Sequence, residues 1–361
     1  MPRMGNALRT MAIGAFRAAA RLTGRRGFAR LLRGGVESDP AFFSEALAES
    51  LAVLDARGLD AALPRDVDNA VLVSRLRVAC DRADSPVYSH HVYAEMSQCC
   101  RRLRHEPTRV LEIGPGSSLG ALTCFLAAGA SSAAGVDVEP LHGDRTEFYR
   151  ELGRHLAVVG GFGWWRNFST TNETKHRLTY PATWDAVDVV ELARRVDYRA
   201  PQPSHVLPFE GGAFDLVYSV AAMEHIERVP ETLAEVRRVL APGGLTIHEI
   251  DLRQHGPSDD LLRLLRWTPE DYAKRTQQYG GGKGIDSIIE GSWTGEVYCN
   301  RLRMSDWRDE FERSGLQVVA LESLCDVDAA SIDVSKLAQP FAAKPIDDLR
   351  AVMIRVVARK R

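Results

Sequence analysis

Arg109-Val110-Leu111-Glu112-Ile113-Gly114-Pro115-Gly116-Ser117-Ser118-Leu119-Gly120 is the stretch on which the fold turns. An apolar run carrying one acid ends at two closely spaced glycines. A helical pattern follows at Leu119, Leu122, Phe125 and Leu126. That order predicts a strand, a tight turn and a helix. Glycine lets the chain bend sharply and lets a ligand lie against bare backbone. The first turn of the helix offers free N–H groups to a polar or anionic group. Further on, Ala133-Ala134-Gly135-Val136-Asp137 reads as a second buried strand ending in an acid, which suits the hydroxyls of a ribose. The expectation is a nucleoside-containing cofactor at the carboxyl edge of a parallel sheet.

The dinucleotide pattern G-x-G-x-x-G requires glycine at 119, where Leu119 stands, and no Gly-Lys-Ser/Thr follows for a phosphate loop. Glu112, two residues before Gly114, favours a cofactor with an amino-acid end. A strand-to-helix turn without a ligand is the plainer alternative at this point.

The 361 residues suit one large domain, or one with a smaller companion. A composition of 45% hydrophobic and 26% charged residues is sufficient for a core, and a net charge of −2 gives no sign of nucleic-acid binding. Six cysteines form no C-x-x-C pair, which suits reduced thiols in a cytoplasmic compartment. No apolar run approaches a membrane span.

Residues 1–35 form a basic arm. Eight arginines precede the first acid, Glu37, with Met11, Ile13, Phe16, Leu22, Phe28, Leu31 and Leu32 between them. As a helix this is amphipathic, and it fits peripheral contact with an anionic membrane face. A solvated arm docking on the acidic remainder and a cleaved targeting peptide fit the same composition. Residues 36–105 read as a helical cap. Its first helix opens at Asp39-Pro40, its second covers 68–79, and its third spans Ser89 to Leu103. Tyr88-Ser89-His90-His91 is either the mouth of the cofactor site or a plain helix start.

The sheet begins near Thr108. Residues 140–195 are long for a crossover and include Gly160-Gly161-Phe162-Gly163-Trp164-Trp165, a candidate cover for a pocket or ordinary surface structure. Arg195 to Tyr198 reads as the third strand and Phe214 to Ser219 as the fourth. Pro230 opens a helix through Leu233, Val236 and Leu240, ended by Pro242-Gly243-Gly244. Leu245 to Asp251 reads as a fifth strand.

Taken in order, E-x-G-x-G after a strand, the acid at 137, Leu207-Pro208-Phe209 with Phe214-Asp215-Leu216-Val217, Glu224-His225-Ile226, and Arg238 to Gly244 resemble class I S-adenosylmethionine-dependent methyltransferases over residues 107–255. The resemblance implies an α/β fold with a Rossmann-like, seven-stranded, mostly parallel sheet and helices on both faces, spanning 106–361. It implies a helix over 304–315, a strand over Leu316 to Leu321 and a last, antiparallel strand over Val352 to Ala358.

By position, the resemblance places Glu112, Gly114 and Gly116 at the methionine end of S-adenosyl-L-methionine, with Ser117 also among the cofactor-binding residues. It places Asp137 on the ribose, Val138 beside the adenine and Ser219 under the sulfonium. Relatives often carry an Asp before Leu-Pro-Phe that meets the adenine amine. Here the stretch is Gln202-Pro203-Ser204-His205-Val206, so Ser204 backbone or the His205 side chain is the candidate substitute.

The acceptor belongs outside the carboxyl ends of the strands. His248, Asp251, His255 and His225 are the candidate catalytic residues there, because a histidine with a carboxylate partner can take a hydroxyl proton near neutrality. Capping of the strand by His248 and Asp251, and a structural role for His225, are the plainer readings. Asp251 and His255 could also ligate a divalent metal, but no set of three oxygen ligands accompanies them, so no metal is expected. The segments His248–His255 and Asn300–Trp307 resemble a bacterial subgroup associated with saccharide or other small-molecule O-methylation.

Residues 256–300 read as a lid-like insertion, with a helix start at Thr268-Pro269-Glu270-Asp271 and the run Gly280-Gly281-Gly282-Lys283-Gly284. The expected enzyme is cytoplasmic, in contact at most with the inner membrane face, and methylates a small-molecule or glycan hydroxyl. Its rivals are an NAD or nucleotide-sugar enzyme on a related sheet, and a methyltransferase-like scaffold without turnover.

Overall fold

The computed structural model describes residues 86–143, 145–160, 188–255, 260–277 and 298–361. The basic arm, the first two cap helices, the Gly-Trp stretch from 161 and the glycine run at 280–284 lie outside these residues. No described helix is long and apolar enough to cross a membrane.

One sheet carries the fold. Its strands are β1 (Arg109–Ile113), β2 (Ser132–Val136), β3 (Asp197–Arg199), β4 (Phe214–Val220), β5 (Leu240–Asp251), β6 (Leu316–Asp326) and β7 (Ala351–Lys360), in spatial order β3-β2-β1-β4-β5-β7-β6. The first five are parallel, and β7 runs antiparallel between β5 and β6. The order reverses between β1 and β4, and that switch point opens a crevice at the carboxyl ends.

Chain contacts divide the molecule into two units. The sheet lies wholly in the unit formed by residues 99–116, 130–143 and 196–361. In that unit α5 (Val229–Val239) and α6 (Met304–Arg313) pack into one apolar cluster with the sheet. Leu233, Val236, Trp307 and Phe311 are buried there with Leu111, Val217 and Ile354. A spacing of three or four residues puts Val229, Leu233 and Val236 on one stripe of α5. Arg355 of β7 stands directly opposite Glu249 of β5, and the pair is buried with Nη2 2.5 Å from Oε1.

The other unit holds most of α1 (Pro86–Arg102), together with α2 (Gly120–Ala127), α3 (Thr146–Gly160) and α4 (Val189–Arg194). These last three are the crossovers that lead from β1 to β2 and from β2 to β3. Every residue of α2 is buried. Gly120 opens it because α1 passes so close that a Cβ there would lie 2.2 Å from Ser89 Oγ. Asp188 caps α4 by accepting from Glu191 N–H at 3.0 Å.

Several boundaries differ from expectation: the strand expected over Leu316 to Leu321 runs on to Asp326, the helix expected to 315 ends at Arg313, and the third cap helix starts at Pro86 instead of Ser89. The helix expected to run through Leu240 stops at Val239, and Leu240 already pairs with Phe214 of β4. The Pro242-Gly243-Gly244 turn therefore lies inside β5 as an irregularity, with Gly243 at φ +76° and a register shift between Phe214 and Leu216. The third strand begins two residues later than expected, at Asp197.

Candidate functional site

The cofactor floor is built at the carboxyl end of β1. Glu112 is buried and accepts a hydrogen bond from Tyr218 Oη at 2.8 Å. Burial, and then the like charge of Asp137, push its carboxyl up to about 8, although the Tyr218 bond opposes the shift. A buried carboxylate so placed fits a cationic partner such as the ammonium of an amino-acid end. Gly114 and Gly116 follow at φ +73° and +65°, the left-handed region that glycine enters freely. A Cβ on Gly114 would lie 2.7 Å from Ala222 Cβ, whereas a Cβ on Gly116 would meet nothing within 4 Å. Gly114 is thus fixed by packing and Gly116 by conformation.

Asp137 follows β2 and is buried. Its Oδ2 accepts from Gly116 N–H at 3.0 Å and its Oδ1 from Glu139 N–H at 3.2 Å. These bonds aim the carboxylate while each oxygen keeps a lone pair for a hydroxyl. Burial raises its pKa against those bonds. Val138 is 59% exposed, an open apolar side chain beside that acid. Gln202 N–H donates to the Asp137 carbonyl at 2.7 Å, which brings the 202–206 loop to the same edge. Ser204 turns its hydroxyl inward to Thr232 at 3.1 Å, so it has only backbone to offer, and His205 stays half-buried. In the other unit, the Ser117 carbonyl accepts from Arg145 Nη1 at 3.0 Å.

The acceptor candidates separate into two groups. His248 is fully buried, and its ring bonds Ser219 Oγ through Nδ1 at 2.7 Å and Thr246 Oγ1 through Nε2 at 2.6 Å. Burial lowers its pKa to about 3. With both nitrogens engaged and the ring beside Phe311, it ties β4 to β5 instead of facing a substrate. The expected proton-accepting role of His248 gives way to a structural one, and Ser219, likewise buried, is its partner.

His225, Asp251 and His255 do come together. A 3₁₀ turn at Met223–His225 follows β4, after Ala221 at φ +49°, and Asp251 ends β5. His255 Nε2 lies 3.4 Å from Asp251 Oδ2, and the His225 and His255 rings are 4.9 Å apart. Arg253 also grips Asp251, its Nε 2.8 Å from Oδ1. Burial works against the Asp251 charge, but hydrogen bonds from His255 and Arg253 prevail and hold its carboxyl well below the usual range. Burial and the neighbouring His255 lower His225 to about 4. His225 Nδ1 lies 2.8 Å from the Tyr298 carbonyl and so carries the proton that it donates there.

Two residues that the sequence did not single out complete this cluster. Glu224 is 1% exposed, and neither of its carboxylate oxygens has a hydrogen-bond partner among the described residues. Cys299 is buried, with Sγ 4.0 Å from His225 Nδ1. Glu224 belongs to the Glu224-His225-Ile226 motif, so a signal existed. Cys299 lies far downstream and has none. Asn300 holds that segment against the turn: its N–H donates to the Glu224 carbonyl at 2.7 Å and its Nδ2 to the Met223 carbonyl at 2.8 Å.

The geometry can be set against known proteins. No curated protein matches the chain. Solved structures similar to it include a methyltransferase from Mesorhizobium loti (18% identity, 73% of this chain and 97% of that one, TM-score 0.36). Another is a methyltransferase from Methanosarcina mazei (13%, 73% and 96%, 0.36). A third is a geranyl diphosphate C-methyltransferase from Streptomyces coelicolor A3(2) (11%, 75% and 80%, 0.39). The assignment rests on the family whose model is described as "Methyltransferase domain", which matches residues 88–321 and so most of the chain. With the strand order, the Glu112 and Asp137 floor and the paired glycines, that match places the chain in the methyltransferase-domain family, as a class I enzyme whose cofactor is S-adenosylmethionine.

Proposed function

We propose that this methyltransferase acts on a hydroxyl oxygen of a small-molecule acceptor, with a saccharide as the acceptor class. The observation that carries the reading is the Asp251–His255 pair, 3.4 Å apart, at the carboxyl end of the strand next to β4. S-adenosylmethionine, when bound, supplies a methyl group already activated by its sulfonium. Glu112 holds the cofactor's ammonium, Asp137 its ribose hydroxyls, and the bare backbone of Gly114 and Gly116 admits it closely. His255 receives the hydrogen bond of the acceptor hydroxyl, and Asp251 fixes the orientation of that imidazole. Carboxylates and imidazoles together suit a polyol, which presents several hydroxyl donors to fixed acceptors.

The S. coelicolor protein named above methylates carbon and was solved with Mg²⁺ and geranyl diphosphate, so carbon acceptors form the comparison arm of the test. Release of S-adenosylhomocysteine is followed across sugars, phenols, amines and prenyl diphosphates. Turnover with hydroxyl acceptors is expected. Asp251→Asn should lower kcat while cofactor affinity stays near wild type, since the partners of Asp251 are Arg253 and His255 and not the Glu112–Asp137 floor. Turnover with amines or prenyl diphosphates alone would remove the proposal.

A further inference from the structure

One nitrogen of His225, one nitrogen of His255 and the Cys299 sulfur lie within 4.8 Å of one another. We propose that these three side chains bind a zinc-class divalent metal ion, with Glu224 beside it as the charge that balances the site. The triangle combines imidazole and thiolate ligands, a set that selects Zn²⁺ over Mg²⁺. Metal–ligand bonds of about 2.0–2.3 Å put tetrahedral donors roughly 3.5 Å apart. Rotation of the side chains by about 1 Å closes the site on the same estimate.

Three further features point to a cation. A ligating histidine usually gives its other nitrogen to a carbonyl or a carboxylate, which fixes the ring. His225 Nδ1 has the Tyr298 carbonyl at 2.8 Å, and His255 Nε2 has the Asp251 carboxylate within ion-pair reach at 3.4 Å. Glu224 is 1% exposed with its Oε1 3.8 Å from His225 Nε2, a buried acid whose charge a metal ion on that nitrogen would offset. One thiolate and one carboxylate together neutralise a divalent ion. The segments are also held before any metal arrives. Cys299 N–H donates to Tyr272 Oη at 2.8 Å, and Asn300 fastens the same segment to the turn that carries His225.

Three protein ligands leave a fourth position. The side chains of His225 and His255 are 28% and 21% exposed, so that position faces solvent and can take water or an acceptor oxygen. With the ion bound, His255 no longer receives the acceptor hydroxyl and the ion meets that oxygen in its place; this use rests on the methyl-transfer proposal above, and metal binding does not.

The test takes the full chain, stripped with a chelator and kept reduced, and titrates it with Zn²⁺ against a chromophoric chelator. It then substitutes Co²⁺ and records the thiolate-to-cobalt absorption. One equivalent of tight Zn²⁺ and a thiolate band are expected. Cys299→Ser should abolish the band, and Cys299→Ser and His255→Ala should each weaken Zn²⁺ by at least about 10-fold. Cys325→Ser, which changes an exposed thiol elsewhere, should leave both signals intact. Thermal shift with S-adenosylhomocysteine shows that each variant is folded. It also separates the two proposals, because a stripped chain that still binds this ligand but fails to bind Zn²⁺ refutes only the metal site. A wild-type chain without the cobalt band, or a Cys299→Ser variant that binds Zn²⁺ as the wild type does, overturns the inference.

Discussion

Glu112 makes cofactor affinity depend on pH in a way that can be worked out. In the cofactor-free protein its carboxyl is pushed up to about 8, so it is mostly protonated at neutrality. The cofactor's ammonium favours the ionised form, so binding expels the proton. Below pH 8 the apparent association constant then scales with the fraction already ionised. That fraction is about 1% at pH 6 and about one half at pH 8, which gives roughly a 50-fold rise in affinity, or about 2.3 kcal/mol. Above pH 8 the curve flattens. The assay is calorimetric titration with S-adenosylhomocysteine at pH 6, 7 and 8, in buffers of different ionisation heat so that proton release is counted directly. Close to one proton, about 0.9, should leave at pH 7. Glu112→Gln should bind more weakly at pH 8 and lose the slope. An affinity that is flat from pH 6 to pH 8 with no proton released would show that Glu112 does not meet the ammonium.

Other expectations follow from single contacts. Gly114→Ala should abolish cofactor binding and destabilise the fold, because its Cβ meets Ala222, whereas Gly116→Ala should cost only the left-handed strain of about 1–2 kcal/mol; urea unfolding separates the two. Arg355→Met should cost about 3–5 kcal/mol by leaving Glu249 charged and alone in the sheet, and adding Glu249→Leu should recover most of it, again by urea unfolding. His248→Ala should lower stability by about 1–3 kcal/mol through the unpaired Ser219 and Thr246 hydroxyls, with an unfolding midpoint below wild type. His248 also sets a direction for acid sensitivity. Its folded pKa of about 3 lies below the unfolded value of 6.5, so the unfolded chain binds more protons between them and stability falls as pH drops through that window. His248→Ala should therefore flatten the decline in urea midpoint between pH 6.5 and 4.

The strands that hold the cofactor could be read from the chain because each carries its signal locally. Val110 to Ile113 is apolar except for Glu112 and stops at a glycine pair, and the structure ends β1 at Ile113. The last strand was legible for the same reason, since Val352 to Ala358 is almost wholly apolar and lies within β7. Orientation was harder. His248 sits in a strand paired on both sides, with Ser219 on one and Val356 on the other, where no polar-apolar alternation tells a covered side chain from an open one. The start of β5 was hidden by Pro242, Gly243 and Gly244, which look like a terminator but form an irregularity within the ladder. Cys299 shows the limit of local reading. It meets His225 only because Asn300 fixes the returning chain, and neither spacing nor neighbours announce that.

The bond from Cys299 N–H to Tyr272 Oη has a consequence for how such an enzyme diversifies. It pins the chain on either side of residues 273–298, and Arg301 lies over the Tyr272 ring at 4.2 Å as a second fastening. A stretch whose two ends are fixed together can be lengthened, shortened or replaced at little energetic cost, because doubling a loop adds only about 0.6 kcal/mol of closure entropy. Relatives built on one sheet and one cofactor floor could then differ in the length of this stretch without refolding what does the methylating.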